Sequence, residues 1–239
     1  MIKKSTSQMK QQRLDGLADG IFAIVMTFLA FEIKTPNLPD FADAGILLTA
    51  IKDLLPILLS FIMSFALLFT YWRAHHYITS VYSKTLTVYL ASYNALFFLL
   101  IILIPFSTAL LGQFPNNETA VIFYGLNIIL IGFSLYLMRR HIEKNPEVDT
   151  ISITKADRRS GYIRILFPAF TALLAIIFVF WNPLISKILF ILGILFNLIP
   201  TSTNIIHYWL DKIFNDEDDV IKSNHKEIDD EGSELEMGD

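Results

Sequence analysis

Asp15 and Asp19 sit four residues apart, with Arg13 just ahead of them, and both lead into an apolar run that opens at Gly20. Only twelve uncharged residues separate Asp19 from Glu32, fewer than the roughly 20 a bilayer-spanning helix needs. To cross, this helix must carry Asp19 into or beside the bilayer, where a carboxylate is expected to be paired or functional. Arg13, under two turns away, is a candidate partner. At helical spacing Gly20, Ile24, Thr27 and Phe31 share one stripe, and the Asp pair lies on a face that meets it near one end. Two readings of the stripe stay open. Thr27 bonded to a backbone carbonyl, with Gly20 allowing close packing, would explain it structurally; a line turned toward other helices or water would make it functional. His75-His76 is a second titratable pair, but adjacent residues do not share a helix face, and neither Cys nor a carboxylate stands at ligand spacing. No resident metal is therefore expected. Walker A, G-x-S-x-G and H-E-x-x-H are all absent, so neither an enzyme nor a cofactor is expected. A T-V-G-Y-G filter and an Arg at every third residue are missing too, which argues against a carbonyl-ringed selectivity loop and against voltage sensing.

The elements that must hold these residues follow from composition. The 239-residue chain is 54% hydrophobic and 18% charged, with 20 Phe and a mean hydropathy of +0.51. An ordinary soluble domain carries roughly 25% charged residues, and one soluble core cannot hide this much apolar surface. The absence of Cys excludes a disulfide scaffold, and a net charge of −4 argues against a nucleic-acid partner. The reading is an all-α integral membrane protein. Leu54–Trp72, Thr85–Asn117 and Thr119–Met138 are uncharged, and Ile165–Leu210 carries only Lys187. As one helix that last stretch would reach roughly 70 Å, so Trp181-Asn182-Pro183 is read as a turn that splits it in two. With the first helix, six transmembrane helices are expected near 13–34, 50–74, 85–112, 118–139, 161–181 and 184–208. Lys3, Lys4 and Lys10 would suit a secretory signal, but Asp15 and Asp19 interrupt the approach and no small-x-small pattern precedes Pro36, so the first helix is read as retained.

Six crossings place sixteen Lys and Arg on one side and only Lys34, Lys52 and Lys187 on the other. Both termini are therefore expected in the cytoplasm, with a cytoplasmic, amphipathic or irregular 4–5 loop. Beyond Asn215 eleven acids face two lysines, so residues 213–239 read as an acidic, disordered cytoplasmic tail attached to a channel-sized unit of 1–212.

The stretch Arg13-Leu14-Asp15-Gly16-Leu17-Ala18-Asp19-Gly20-Ile21-Phe22-Ala23-Ile24 resembles the opening of the endosomal and lysosomal potassium channel family (the transmembrane protein 175 family) and its prokaryotic relatives. There R-x-x-x-F-S-D-G leads into the first helix. Arg13, Asp19 and Gly20 match, while Leu17 stands where Phe is usual and Ala18 where Ser is usual. Trp72-Arg73-Ala74-His75-His76 is similar to the family's W-x-x-H-H, Asn94 to its third-helix Asn, and Pro105–Gly112 to its third-helix ending. The resemblance implies a single-repeat, six-helix prokaryotic subunit that assembles as a homotetramer, with four first helices lining a pore. It implies Ile24 at an apolar gate, Thr27 one turn further out and Phe31 as the next pore-facing position. Arg13, Asp19, Trp72, His75 and Asn94 would form a polar packing network. The expected function is then a multi-pass cell-membrane cation channel, permeable to potassium ions with modest preference over sodium, with no metal expected beyond the permeant potassium. A proton-coupled secondary transporter is the alternative, although no inverted repeat or broken helix is seen; a structural scaffold would carry no current.

Overall fold

The computed structural model describes residues 2–36, 43–81, 86–145 and 155–199. The chain divides into a unit of residues 1–198 and a second unit from Ile199 onward. The expected acidic tail, 213–239, and the end of the last expected helix lie outside the described residues.

Among the described residues every regular element is helical, as expected where backbone groups must be satisfied within a segment rather than by solvent. The helices are α1 (Ile2–Phe31), α2 (Ala44–Asp53), α3 (Leu55–His76), α4 (Val88–Ile102), α5 (Ile104–Gln113), α6 (Glu118–Lys144), α7 (Lys155–Phe178) and α8 (Pro183–Leu198). A single π-helical stretch, Tyr77–Val81, continues α3. Among the described residues five stretches are long and apolar enough to cross a bilayer: Arg13–Phe31, Leu55–Thr79, Val88–Gln113, Glu118–Lys144 and Arg158–Phe178. The sixth expected span corresponds to α8, which is apolar but only 16 residues long within the described part.

Punctuation follows local chemistry. Pro105 has no N–H to offer Ile101 and crowds that carbonyl, so the third span bends at Leu103 into α4 and α5. Asn117 accepts from the backbone N–H groups of Thr119 (2.9 Å) and Ala120 (3.3 Å), which starts α6. The Trp181-Asn182-Pro183 turn forms where it was read: Asn182 accepts from Leu184 N at 2.8 Å, and Pro183 opens α8. Three elements differ from expectation. The third span, read as one helix without a break, is interrupted at Leu103. The residues before the second span form the separate helix α2, capped by Asp43 on Ile46 N at 2.8 Å, and α7 begins at Lys155, inside what was read as loop.

α6 is the central helix, packed against α4, α5, α7 and α8, whereas α1 packs on α3, α4 and α5 from one side. More than half of the apolar stretch of α6 is buried (56%), against 22% of that of α1, so α1 is peripheral in the protomer. α6 meets α7 closely because a Cβ on Gly125 would lie 2.8 Å from Ile176 Cγ1; glycine lets the two axes approach, the usual device for helix association in lipid. At one end of the bundle Arg73 of α3 donates to the Asn197 carbonyl near the end of α8, and Asn197 Nδ2 donates to the Arg164 carbonyl of α7 at 2.9 Å. At the other end Lys187 of α8 donates to Asn116 Oδ1 at 3.0 Å. Successive apolar segments thus run alternately up and down.

Candidate functional site

α1 is two-faced. Ala18, Phe22, Val25 and Leu29, spaced four, three and four residues apart, are buried against the bundle. Gly16, Gly20, Ile24, Thr27 and Phe31 are exposed on the other side, Ile24 by 56% and Phe31 by 73%. A Cβ added to Gly16 or Gly20 would meet nothing within 4 Å in the protomer, so neither glycine serves packing inside the subunit. Thr27 Oγ1 donates to the Ile24 carbonyl at 2.7 Å. Its proton is thereby occupied and the oxygen keeps both lone pairs as acceptors, the right polarity for a cation.

The stripe is held in place from behind. Trp72 Nε1 of α3 donates to Asp19 Oδ1 at 2.8 Å, and the indole lies between Phe69 (5.8 Å) and His76 (6.0 Å, nearly parallel). Deeper in the bundle His75 and Asn94 are fully buried. Asn94 Nδ2 donates to the Leu90 carbonyl at 2.8 Å, which turns Oδ1 toward His75 Nε2 at 2.6 Å. That orientation makes the imidazole nitrogen the donor and assigns its tautomer. The His75 ring lies flat on Phe97 (5.0 Å, 7°), and Phe22 of α1 closes the cluster against both rings. Thr79 Oγ1 stands 3.0 Å from the His75 carbonyl and 3.2 Å from Asp15 Oδ1, so its one proton bridges toward either.

The five residues expected in one polar network therefore separate into two pairs, Asp19–Trp72 at the margin and His75–Asn94 in the core, with Trp72 and His75 both carried by α3. Arg13 joins neither pair: its side chain is exposed, and among the described residues no ion pair connects it to Asp19. Ala18 is buried where the family usually has Ser, and Leu17 is exposed where it usually has Phe.

Two further clusters escaped the sequence reading. Inside the bundle Thr108 of α5 donates to Ser64 Oγ of α3 at 2.7 Å, Ser64 shares a 3.0 Å hydrogen bond with the Tyr124 hydroxyl of α6, and Asn127 Nδ2 donates to Ser107 Oγ at 3.2 Å. Small hydroxyls within apolar runs were the available signal, since such groups must find partners away from water. At the Lys/Arg-rich end Arg139 is buried on α6. Its Nε pairs with Glu143 Oε1 at 3.0 Å, while Tyr162 of α7 donates to Glu143 Oε2 at 2.9 Å. The i, i+4 spacing of Arg139 and Glu143 was the clue there.

Comparison with known proteins gives this geometry its context. The family model described as endosomal/lysosomal potassium channel TMEM175 matches residues 13–105, which hold α1 from Arg13 onward, Trp72, His75 and Asn94. A potassium channel from Chamaesiphon minutus is 30% identical over 158 residues, covering 65% of this chain and 75% of that protein. The human endosomal/lysosomal proton channel TMEM175 is 34% identical over 73 residues, 28% of this chain and 14% of the human one. The crystal structure of a lysosomal potassium-selective channel TMEM175 homologue from Chamaesiphon minutus superposes with a TM-score of 0.66 at 26% identity, covering 80% of this chain and 98% of that one. With the matched region centred on the two-faced first helix and the anchors behind it, the chain belongs to the TMEM175 family.

Proposed function

We propose that the chain is a potassium-permeable cation channel with modest preference for potassium over sodium, its pore lined by the first helices of four subunits. The observation that carries this reading is the exposed stripe of α1, which has glycines that pack on nothing and large apolar residues that the protomer leaves uncovered. A single α1 cannot enclose a pore, so several copies are required, and closed rotational symmetry is the usual solution. On this reading Ile24 forms a narrow dry ring that stops a hydrated ion by dewetting. Thr27 presents four hydroxyl oxygens to the ion one turn further out, and Phe31 is the next residue on the path. Without a ring of backbone carbonyls, selectivity rests on ring diameter and on these hydroxyls, hence the modest preference. Asp19–Trp72 and His75–Asn94 set the rotation of α1 so that the stripe faces the axis; Arg13, exposed at its end, is a candidate for contacts between subunits.

In the same reading the bundle crosses the membrane six times, with α8 as the last span and both termini in the cytoplasm of a prokaryotic cell. The Lys and Arg asymmetry supports this arrangement. The unit of 1–212 would be the channel and 213–239 a solvated tail.

Purified protein in liposomes, with potassium inside and sodium outside, tests the proposal. A channel gives uncoupled potassium current that grows linearly with voltage, and the purified assembly has the mass of four chains. Transport that stalls without a pH gradient would instead indicate proton-coupled exchange, and absence of current a scaffold. The name of the human relative favours a second reading, proton passage through the same path, which a pH-sensitive dye in the lumen reads in the same preparation.

A further inference from the structure

At the Lys/Arg-rich end of the bundle, α4 and α6 leave between them an open cavity of about 410 Å3 lined by Tyr93, Leu137, Arg140, His141, Lys144 and Asn145. None of these belongs to α1 or to the anchors behind it. The walls are held in place. His141 Nε2 lies 2.8 Å from Thr87 Oγ1, Asn145 Nδ2 approaches the same nitrogen at 3.4 Å, and the Tyr93 ring meets the imidazole edge-on at 5.8 Å.

The rim carries two cations one helical turn apart, Arg140 and Lys144, both exposed. Arg140 Nη1 donates to the Tyr136 hydroxyl at 2.8 Å, and the guanidinium lies 5.9 Å from that ring's centre. This fixes the head group while leaving its other N–H donors available. The one acid on this turn of α6, Glu143, is turned the other way, onto Arg139, Arg158 and Tyr162. It therefore does not neutralise the rim, and among the described residues no acid lines the cavity.

A fixed guanidinium fork beside a compact ammonium charge is chemistry suited to phosphate oxygens. Basic pockets between membrane helices hold anionic head groups by the same means. Leu137 and the Tyr93 ring supply an apolar floor and wall beside the charges, as an amphiphile requires. We propose that this cavity binds a phosphate-bearing anion, supplied either as the phosphodiester head group of an anionic lipid or as free phosphate. The site is independent of the conduction path proposed above, and its test does not depend on current.

The full-length protein in detergent is titrated with phosphatidylglycerol or phosphatidylcholine, read by native mass spectrometry, and with inorganic phosphate, read by calorimetry. The expected result is one saturable anion per subunit, with affinity falling roughly thirtyfold in Arg140→Gln/Lys144→Gln. Arg158→Gln/Arg159→Gln, which removes the same charge from the same end but outside the cavity, should leave affinity unchanged. Binding of phosphatidylglycerol alone assigns the lipid as source; binding of inorganic phosphate with the same loss assigns free phosphate. Equal retention of the two lipids without phosphate binding, or equal loss in the two double variants, overturns the proposal, since the rim would then act only as part of a diffuse surface charge. Should Arg140→Gln/Lys144→Gln fail to fold, Lys144→Glu at its exposed position carries the same test, with a loss at least as large expected.

Discussion

Replacing Ile24 by Asn separates the two faces of α1. The side chain is 56% exposed in the protomer, so its loss should cost subunit stability at most about 1 kcal/mol. In an assembled pore the same change places four amides where four apolar groups held the ring dry. If each amide gains a net hydrogen bond to water at the low end of the usual range, about 0.5 kcal/mol, four together lower the barrier by about 2 kcal/mol. That corresponds to roughly thirtyfold more basal current. The contrast is Phe22→Ala on the opposite face: Phe22 is 2% exposed and packs on Phe97 at 5.9 Å and on His75 at 6.5 Å. Its truncation should lower thermal stability by about 3 kcal/mol. Planar-bilayer recordings paired with detergent melting curves measure both. If Ile24→Asn protein expresses, assembles as a tetramer and stays as quiet as wild type, the constriction lies elsewhere and the gate assignment is wrong.

Thr27→Val keeps the shape of the side chain and removes the oxygen, so it should shift the potassium-to-sodium permeability ratio more than the open probability; bi-ionic reversal potentials decide this, and an unchanged ratio would remove Thr27 from the ion path. His75 and Asn94 should be coupled by about 1 kcal/mol in a double-mutant cycle of His75→Phe and Asn94→Leu, because each single change strands a buried polar partner that the double change removes; strict additivity in melting experiments would show that the 2.6 Å contact contributes nothing. The chain has no native Cys, so single cysteines at Asn116 and Lys155 report orientation cleanly. An impermeant thiol reagent should label the first from outside intact cells and the second only after permeabilisation, and the reverse pattern would overturn the proposed topology.

Much of the architecture was legible along the chain because its causes are local. A helix in lipid satisfies its backbone within its own segment, so runs of apolar residues mark the helices, and Pro183, Asn182 and the Asn116-Asn117 pair mark where they stop. The odd charge at Asp19 and the stripe through Gly20, Ile24, Thr27 and Phe31 could likewise be read from spacing, and the resemblance carried by Arg13, Asp19, Gly20, Trp72 and His75 pointed to the family. Tertiary structure alone decided which face of α1 turns away from the bundle. It also split the expected polar network, giving Asp19 to Trp72 and Asn94 to His75 while leaving Arg13 outside. Arg139, at the end of the fourth expected helix, is a buried partner of Glu143, and the cavity between α4 and α6 joins residues some 50 positions apart. The physical reason is common to all of these. Spacing along a helix fixes which side chains share a face, but the rotation and crossing of helices, set by close contacts such as Gly125 against Ile176, decide what that face meets.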